Sequence, residues 1–261
     1  MRRGARLLEA LWLGTVPYRE AWELQRRLAQ ARASREVGDA VLLLEHPPVY
    51  TLGRGTDPSH VGAGPDALRA LGADCLEVDR GGSVTFHGPG QLVAYPIVLL
   101  AEAFPFGAAP GRGDVIAYVR ALEGALIETA CRHGVVASRR PGYTGAWVGA
   151  NKLAAIGVKL ASGVTQHGAA LNVCTDLSWF GHVVACGIHD AGVTSLALEG
   201  AGGLTPERVA PDLAAALAAA LGAAPAPAGT ALRRLAAAAG AGDPRPAART
   251  PAAVAEPVAL P

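Results

Sequence analysis

One glycine-rich stretch dominates the sequence, and it reads Arg80-Gly81-Gly82-Ser83-Val84-Thr85-Phe86-His87-Gly88-Pro89-Gly90-Gln91. Its middle part alternates apolar and polar residues, as a β-strand does. Glycines let a backbone approach a ligand closely and expose its N–H groups. Arg80, Thr85 and His87 add polar side chains. The stretch therefore predicts a ligand-binding loop that leads into a strand, although a tight hairpin with polar surface residues stays open as an alternative.

Phosphate-loop and metal-site patterns do not fit this stretch or the rest of the chain. The sequence contains no G-x-x-x-x-G-K-[ST], and no G-x-G-x-x-G opens a helix after a strand. The histidines are scattered, and none has a metal-binding spacing such as H-x-x-x-H. We therefore expect no metal and no cofactor.

Outward from this stretch, helical and strand patterns occur in separate blocks. Residues 18–33, 114–133 and 206–221 have helical spacing of apolar residues, while 144–173 is a succession of strands and turns. Such segregation favours an α+β fold over repeating βα units. Beyond Gly222 the chain is mainly Ala, Pro, Gly and Arg. The sequence therefore predicts a catalytic domain over 1–222 and a disordered tail over 223–261.

Composition and charge exclude several classes of partner. The net charge is +1, which gives no electrostatic reason to expect binding of nucleic acid or of a membrane surface. No apolar stretch is long enough to span a membrane, and the N-terminus lacks an apolar signal core. We expect a cytoplasmic protein.

The four cysteines and two lysines are the candidate reactive residues. Cys75, Cys131 and Cys174 are expected to be buried apolar thiols. Cys186 follows an apolar strand and precedes a glycine, which would present a thiol beside backbone N–H groups, although burial stays open for it too. A neighbouring ammonium would favour its thiolate. Lys152 and Lys159 are seven residues apart on one strand, so they should point to opposite faces unless Gly157 marks a bulge. We therefore expect one lysine to be the partner of the cysteine and the other to be solvated.

Several motifs together resemble the lipoyl(octanoyl) transferases of lipoate biosynthesis. The first is the stretch above extended to Tyr95. The others are Leu44-Glu45-His46-Pro47-Pro48-Val49-Tyr50-Thr51-Leu52-Gly53-Arg54, Asn151-Lys152-Leu153-Ala154-Ala155-Ile156-Gly157-Val158, His167-Gly168-Ala169-Ala170-Leu171-Asn172 and Ala185-Cys186-Gly187-Ile188. The resemblance covers residues 7–221. Ala185 stands where the family usually has proline.

The resemblance implies a fold and a set of site residues. The fold would be a mixed, largely antiparallel sheet flanked by helices, similar to the catalytic domains of biotin and lipoate protein ligases. Cys186 would carry the acyl thioester, and Lys152 would lower the pKa of its thiol. The acyl pocket would be formed by Arg80, Gly81, Gly82, Ser83, Val84, Thr85, Phe86, His87, Ala155, Ile156, Gly157, Gly168, Ala169 and Ala170.

The resemblance also implies a reaction and its partners. Octanoyl, or lipoyl, would pass from acyl carrier protein to Cys186, and then to a lysine of a lipoyl domain in a 2-oxoacid dehydrogenase complex or of the glycine cleavage H protein. The first alternative is an ATP-dependent lipoate or biotin protein ligase of the same fold. The second is a non-catalytic acyl-binding module.

Overall fold

The structure is a computed structural model that describes residues 5–62, 64–107, 111–183 and 191–240. The strands are β1 (Leu7–Thr15), β2 (Asp39–Glu45), β3 (Val49–Leu52), β4 (Asp74–Glu77), β5 (Val84–His87), β6 (Gln91–Ile97), β7 (Ser138–Arg140), β8 (Tyr143–Val148), β9 (Asn151–Ala161), β10 (Val164–Asn172) and β11 (Ala224–Pro227). The α-helices are α1 (Tyr18–Ala33), α2 (Pro65–Ala70), α3 (Leu100–Ala103), α4 (Val115–Arg132), α5 (Pro206–Ala220) and α6 (Thr230–Ala238).

The strands form a large and a small sheet. The large sheet has the order β11-β1-β2-β6-β10-β9-β8-β7, and the small one has the order β4-β3-β5. In the large sheet β1 pairs in parallel with β11 and β2, and the other pairings are antiparallel. This confirms the predicted α+β class with a mixed, largely antiparallel sheet.

Helices cover both faces of the large sheet because each has one apolar stripe. Helices α4 and α5 pack against each other and against one face, where Tyr118, Leu126 and Leu213 enter the main core. Helix α1 packs against β6 and β10 on the other face through Ala21, Leu24 and Leu28. The polar caps Asp114 and Thr205 accept backbone N–H bonds at the first turns of α4 and α5. The small sheet lies on the α1 side, beside the start of that helix.

The prediction of disorder from residue 223 is wrong for residues 224–238. Strand β11 pairs with β1, and α6 buries Leu232 and Ala236 in the core beneath α1. The carboxylate of Glu9 accepts a hydrogen bond from the Gly229 N–H at 2.8 Å. The sequence gives little sign of this order, because the segment is rich in small residues and contains two prolines. In addition, its pairing partner β1 is more than 200 residues away. Residues 241–261 lie outside the described ranges.

The three cysteines within the described ranges differ in exposure. Cys75 is buried as predicted, but Cys131 and Cys174 are exposed, so the prediction of burial is wrong for these two. Cys131 lies at the outward side of α4, and Cys174 is the second residue after β10. In the described ranges no helix combines the length and apolarity needed to cross a membrane.

Candidate active site

A cavity lies between the two sheets, where the glycine-rich loop passes over β9. We call it the main cavity. It and its mouth hold about 450 Å³ of empty space. Its lining residues are Tyr18, Arg80, Gly82, Ser83, Thr85, His87, Val93, Tyr95, Ala155, Ile156, Gly157, His167, Gly168, Ala169 and Ala170.

The loop over β9 needs glycine on both sides of the crossing. The Gly81 N–H donates to the Val158 carbonyl at 3.0 Å. A Cβ on Gly157 would come within 3.0 Å of Arg80 Cδ and of the Gly81 carbonyl oxygen. A Cβ on Gly53 would lie 2.3 Å from the Gly82 carbonyl oxygen. Larger residues at these positions would push the loop off the sheet and open the cavity.

Arg80 fixes the loop from inside. Its guanidinium is buried and donates to the Thr51 carbonyl at 2.6 Å, to Thr51 Oγ1 at 2.8 Å and to the Ser83 carbonyl at 2.8 Å. Charge-assisted hydrogen bonds of this kind are stronger than neutral ones. Arg80 therefore ties the loop to β3, and its side chain also forms part of the cavity wall.

Alternation along β5 divides the predicted pocket residues into two sets. Thr85 and His87 face the main cavity, while Val84 and Phe86 point the other way and pack with Tyr50 in the core of the small sheet. The expectation that all residues from Arg80 to His87 line the pocket therefore does not hold for Val84 and Phe86. Gly81 lies at the crossing over β9, outside the cavity lining.

Residues of β10 also line the main cavity, and the packing of the neighbouring strand explains why residue 168 is glycine. A Cβ on Gly168 would lie 2.1 Å from the Ala94 carbonyl oxygen of β6. Glycine is thus required by the neighbouring strand rather than by a ligand. Ala169 and Ala170, together with Ala155, Ile156 and Gly157 of β9, line the main cavity.

Lys152 lies in a smaller cavity that adjoins the first. This side cavity shares Thr85, Ala155 and Ala170 with the main cavity, and its other lining residues are Gln91, Lys152, Asn172, Phe180 and Val193. The Lys152 ammonium lies 4.8 Å from the centroid of the buried Trp147 ring, which stabilises a cation there.

A β-bulge determines which way Lys152 points. Ala146 of β8 pairs with Ala154, whereas the next residue, Trp147, pairs with Lys152, so Leu153 is an extra residue in β9. Leu153 and Ala154 both enter the main core as a result. Lys152 is therefore turned to the cavity side, together with Ala155.

Cys186 lies outside the described residues, which resume at residue 191. The described residues on both sides are anchored near the cavities. Val183 packs in the core of the small sheet. The Lys152 N–H donates to the Gly192 carbonyl at 2.9 Å, and the Thr194 N–H donates to the Lys152 carbonyl at 3.0 Å. The segment that follows the Cys186 motif thus runs in parallel beside Lys152.

The sequence predicted that Lys159 is solvated, but the structure gives it a charged partner. It forms an ion pair with Asp79, whose other carboxylate oxygen accepts from His167 Nε2 at 2.9 Å. Burial by itself would raise the pKa of Asp79, but the hydrogen bonds from His167 and Lys159 outweigh it and lower that pKa to about 2. The bulge lies at Leu153 rather than at Gly157, and this places both lysines on the cavity face of β9.

A cluster of rings that the sequence did not bring together forms one wall of the main cavity. It consists of Tyr18, His46, His87, Tyr95 and His167. Burial lowers the pKa of His46 and of His167 to about 4, and that of His87 well below its ordinary value. All three imidazoles are therefore neutral at pH 7. His46 and His167 belong to motifs that carry the family resemblance. The sequence does not predict that they meet, because residues so far apart give no local signal.

A chain of hydrogen bonds links this cluster to the loop beside Lys152. His87 Nδ1 donates to Gln91 Oε1 at 2.8 Å, because an amide oxygen can only accept. Gln91 Nε2 donates to Asn172 Oδ1 at 2.9 Å, and Asn172 Nδ2 donates to the Thr194 carbonyl at 2.9 Å. Gln91 and Asn172 line the side cavity, so this chain fixes one of its walls.

Nowhere in the described ranges do three His, Cys, Asp or Glu side chains lie close enough together to share a metal ion.

Residues 17–218 match the family model described as the lipoyl protein ligase A/B catalytic domain. The chain belongs to this family.

Within the family, curated relatives of high identity are octanoyltransferases. That of Rubrobacter xylanophilus is 52% identical over 188 residues, covering 71% of this chain and 80% of that protein. That of Chloroflexus aggregans is 52% identical over 197 residues, covering 74% and 86%. The octanoyltransferase of Thermobifida fusca is 50% identical over 198 residues, covering 72% and 78%.

Solved structures show the same fold at low identity. The bi-partite lipoate protein ligase of Thermoplasma acidophilum superposes with a TM-score of 0.60 at 16% identity, over 90% of this chain and 91% of that one. LipL1 of P. falciparum in complex with lipoate gives a TM-score of 0.62 at 11% identity, over 82% and 62%. These likenesses confirm the predicted resemblance to lipoate ligase domains.

Proposed function

We propose that this protein transfers an octanoyl group from acyl carrier protein to a lysine of a lipoyl domain, through a thioester on Cys186. The observation that carries the proposal is the identity of about half of all aligned residues with octanoyltransferases from several bacteria. Lipoyl could take the place of octanoyl in the same reaction. The reaction belongs to the cytoplasm, in line with the expectation from the sequence.

The position of Lys152 supports its role as the partner of Cys186. The backbone of residues 192–194 is hydrogen-bonded to Lys152, and the chain returns to this point six residues after Cys186. An ammonium close to a thiol stabilises the thiolate, which is the reactive nucleophile. Trp147 contributes because its ring face favours a cation at the Lys152 head.

The proposed reaction has two acyl transfers. In the first, the Cys186 thiolate attacks the carbonyl carbon of the octanoyl thioester, and the carrier thiolate leaves with a proton from Lys152. In the second, the acceptor lysine amine attacks the acyl-enzyme, Lys152 takes the proton of that amine, and the Cys186 thiolate leaves. The first step exchanges one thioester for another and needs no ATP. The second forms an amide, which is more stable than a thioester, and so runs forward.

The two cavities support a division of labour in this mechanism. The side cavity holds Lys152 and the amide groups of Gln91 and Asn172, so it suits the reacting carbonyl. The main cavity adds apolar surface from Val93, Ala155 and Ala169, so it suits the hydrocarbon chain. Burying an alkyl chain stabilises the complex by about 0.8 kcal/mol per methylene. Both cavities share Ala155 and Ala170, which lets one ligand occupy both.

An experiment with two donors separates this function from ATP-dependent ligation. A purified lipoyl domain, or H protein, is mixed with the enzyme and either octanoyl-acyl carrier protein or octanoate with ATP. We expect the acceptor mass to rise only with the carrier-bound donor. Product formed only with octanoate and ATP would move the protein to the ligases, and no product with either donor would favour a non-catalytic acyl-binding module.

A further inference from the structure

The far end of the main cavity is closed by a hydrogen-bonded wall centred on His167. Strand pairing gives the direction of the cavity, because Ala170 pairs with Ala155 near Lys152, and Gly168 pairs with Gly157 further along. His167 is the next residue beyond Gly168. It is buried and lines the cavity.

Both imidazole nitrogens of His167 are engaged, which fixes the ring. A carboxylate only accepts, so Nε2 carries the proton and donates to Asp79 Oδ1 at 2.9 Å. The other nitrogen, Nδ1, lies 3.2 Å from the Tyr18 hydroxyl and accepts from it. Swinging the ring aside would break both bonds, one of them to a charged group.

The backbone and the outer partners add further constraints. His167 has a φ of +55°, in the left-handed region that most residues avoid. Its N–H donates to Gln25 Oε1 of α1 at 2.6 Å. Asp79 is held in turn by Lys159. A strained strand residue held from so many sides is typical of a functional position.

From this arrangement we propose that His167, held by Tyr18 and Asp79, is the residue that limits the length of the acyl chain. The proposal rests on the acyl transfer proposed above and names its specificity determinant. The terminal methyl group of an octanoyl chain would meet the flat face or edge of a neutral imidazole. Longer chains would have to displace a ring that is bonded on both nitrogens.

The test compares acyl carrier protein loaded with hexanoyl, octanoyl, decanoyl and dodecanoyl chains. His167→Gly removes the ring at a φ that glycine adopts freely. We expect the ratio of kcat/KM for dodecanoyl to that for octanoyl to rise about tenfold or more, because two additional buried methylenes already correspond to about tenfold. His133→Ala is the control, since it removes an imidazole at the C-terminal end of α4 that lines neither cavity, and it should keep the wild-type length profile.

Folding and function are separated from the length effect in two ways. His167→Asn, with a residue that tolerates this φ, serves if the glycine variant does not fold, as judged by circular dichroism. Calorimetric binding of free octanoate and dodecanoate gives a readout without transfer. Length ratios within about twofold of wild type in a folded His167 variant would overturn the proposal. A wild-type enzyme that transfers no chain of any length would instead refute the transferase function.

Discussion

Lys152 and Lys159 lie on the same face of β9, although an uninterrupted strand would turn them to opposite faces. The extra residue Leu153 reverses the alternation once. Lys152 consequently faces the side cavity, and Lys159 reaches Asp79 behind the far end of the main cavity. The two lysines lie at opposite ends of the proposed acyl site. We therefore expect different roles for them, although both lie on the same face of β9.

Conservative substitution of each lysine should separate these roles. Arginine at 152 keeps the positive charge but cannot exchange a proton near neutral pH, and its broader head misfits the small side cavity. We expect Lys152→Arg to lower kcat about a hundredfold or more, the usual range for losing a general acid–base group. Lys159→Arg can still pair with Asp79 and should stay within about twofold of wild type. Steady-state transfer assays measure both variants. If Lys159→Arg loses activity and Lys152→Arg keeps it, the partner of Cys186 is Lys159 and the assignment made here is wrong.

Cutting the chain at two positions tests the order found beyond Gly222. Removal of residues 223–261 deletes β11 and α6 and exposes the core that Leu232 covers. We expect the free energy of unfolding to fall by about 2–4 kcal/mol, which corresponds to one or two buried apolar side chains. Removal of residues 241–261 alone is the control and should change it little. Equal stability of the two truncated proteins in urea would show that β11 and α6 contribute nothing.

Glu123 should be the most costly single carboxylate to remove from α4. It is fully buried and accepts from Arg120 at 2.7 Å, from Arg139 at 3.0 Å and from the Gly145 N–H at 3.2 Å. Glu123→Ala leaves that N–H buried without its acceptor, and we expect a loss of about 2–4 kcal/mol. Glu128→Ala removes an exposed pair with Arg132 on the same helix and should cost less than about 1 kcal/mol. Similar losses in both variants would contradict this account.

The buried histidines predict a loss of stability in mild acid. Burial lowers the pKa of His46 from 6.5 to about 4 in the folded protein. The neutral form is favoured by folding, so this stability is fully present above pH 6.5 and is lost as the pH falls towards 4. The shift corresponds to about 3 kcal/mol for His46. In His46→Gln, thermal denaturation should depend less steeply on pH between 6.5 and 4 than in wild type, and an unchanged slope would argue against a neutral His46.

The sequence predicted those parts of the structure whose signals are local. Helices α1, α4 and α5 have clear apolar stripes, and the last two begin at polar caps, so their bounds were predicted almost to the residue. Strand β11 was missed because alanine and proline do not favour a strand. Helix α6 has an apolar stripe that includes Leu232 and Ala236, but it is only nine residues long. The stability of both elements comes from distant contacts with Glu9 and α1.

The candidate site shows the same division between local and distant signals. Ser83, Thr85 and His87 could be assigned to the cavity because they belong to one short motif. The wall formed by Tyr18, Asp79 and His167 joins three separate segments, and no spacing rule connects them. The bulge at Leu153 was also missed, since it depends on how β8 pairs with β9.

We propose that the octanoyl group is held on Cys186 after it leaves acyl carrier protein and before it reaches the lipoyl domain. The direct test is to mix the enzyme with octanoyl-acyl carrier protein in the absence of acceptor, measure its intact mass, and map the modified peptide. Mapping matters because Cys131 and Cys174 are exposed thiols that could react by chance. We predict one octanoyl group on Cys186, released on addition of a lipoyl domain and absent in Cys186→Ser. An enzyme that stays unmodified at Cys186 yet acylates the lipoyl domain at the wild-type rate would contradict the account.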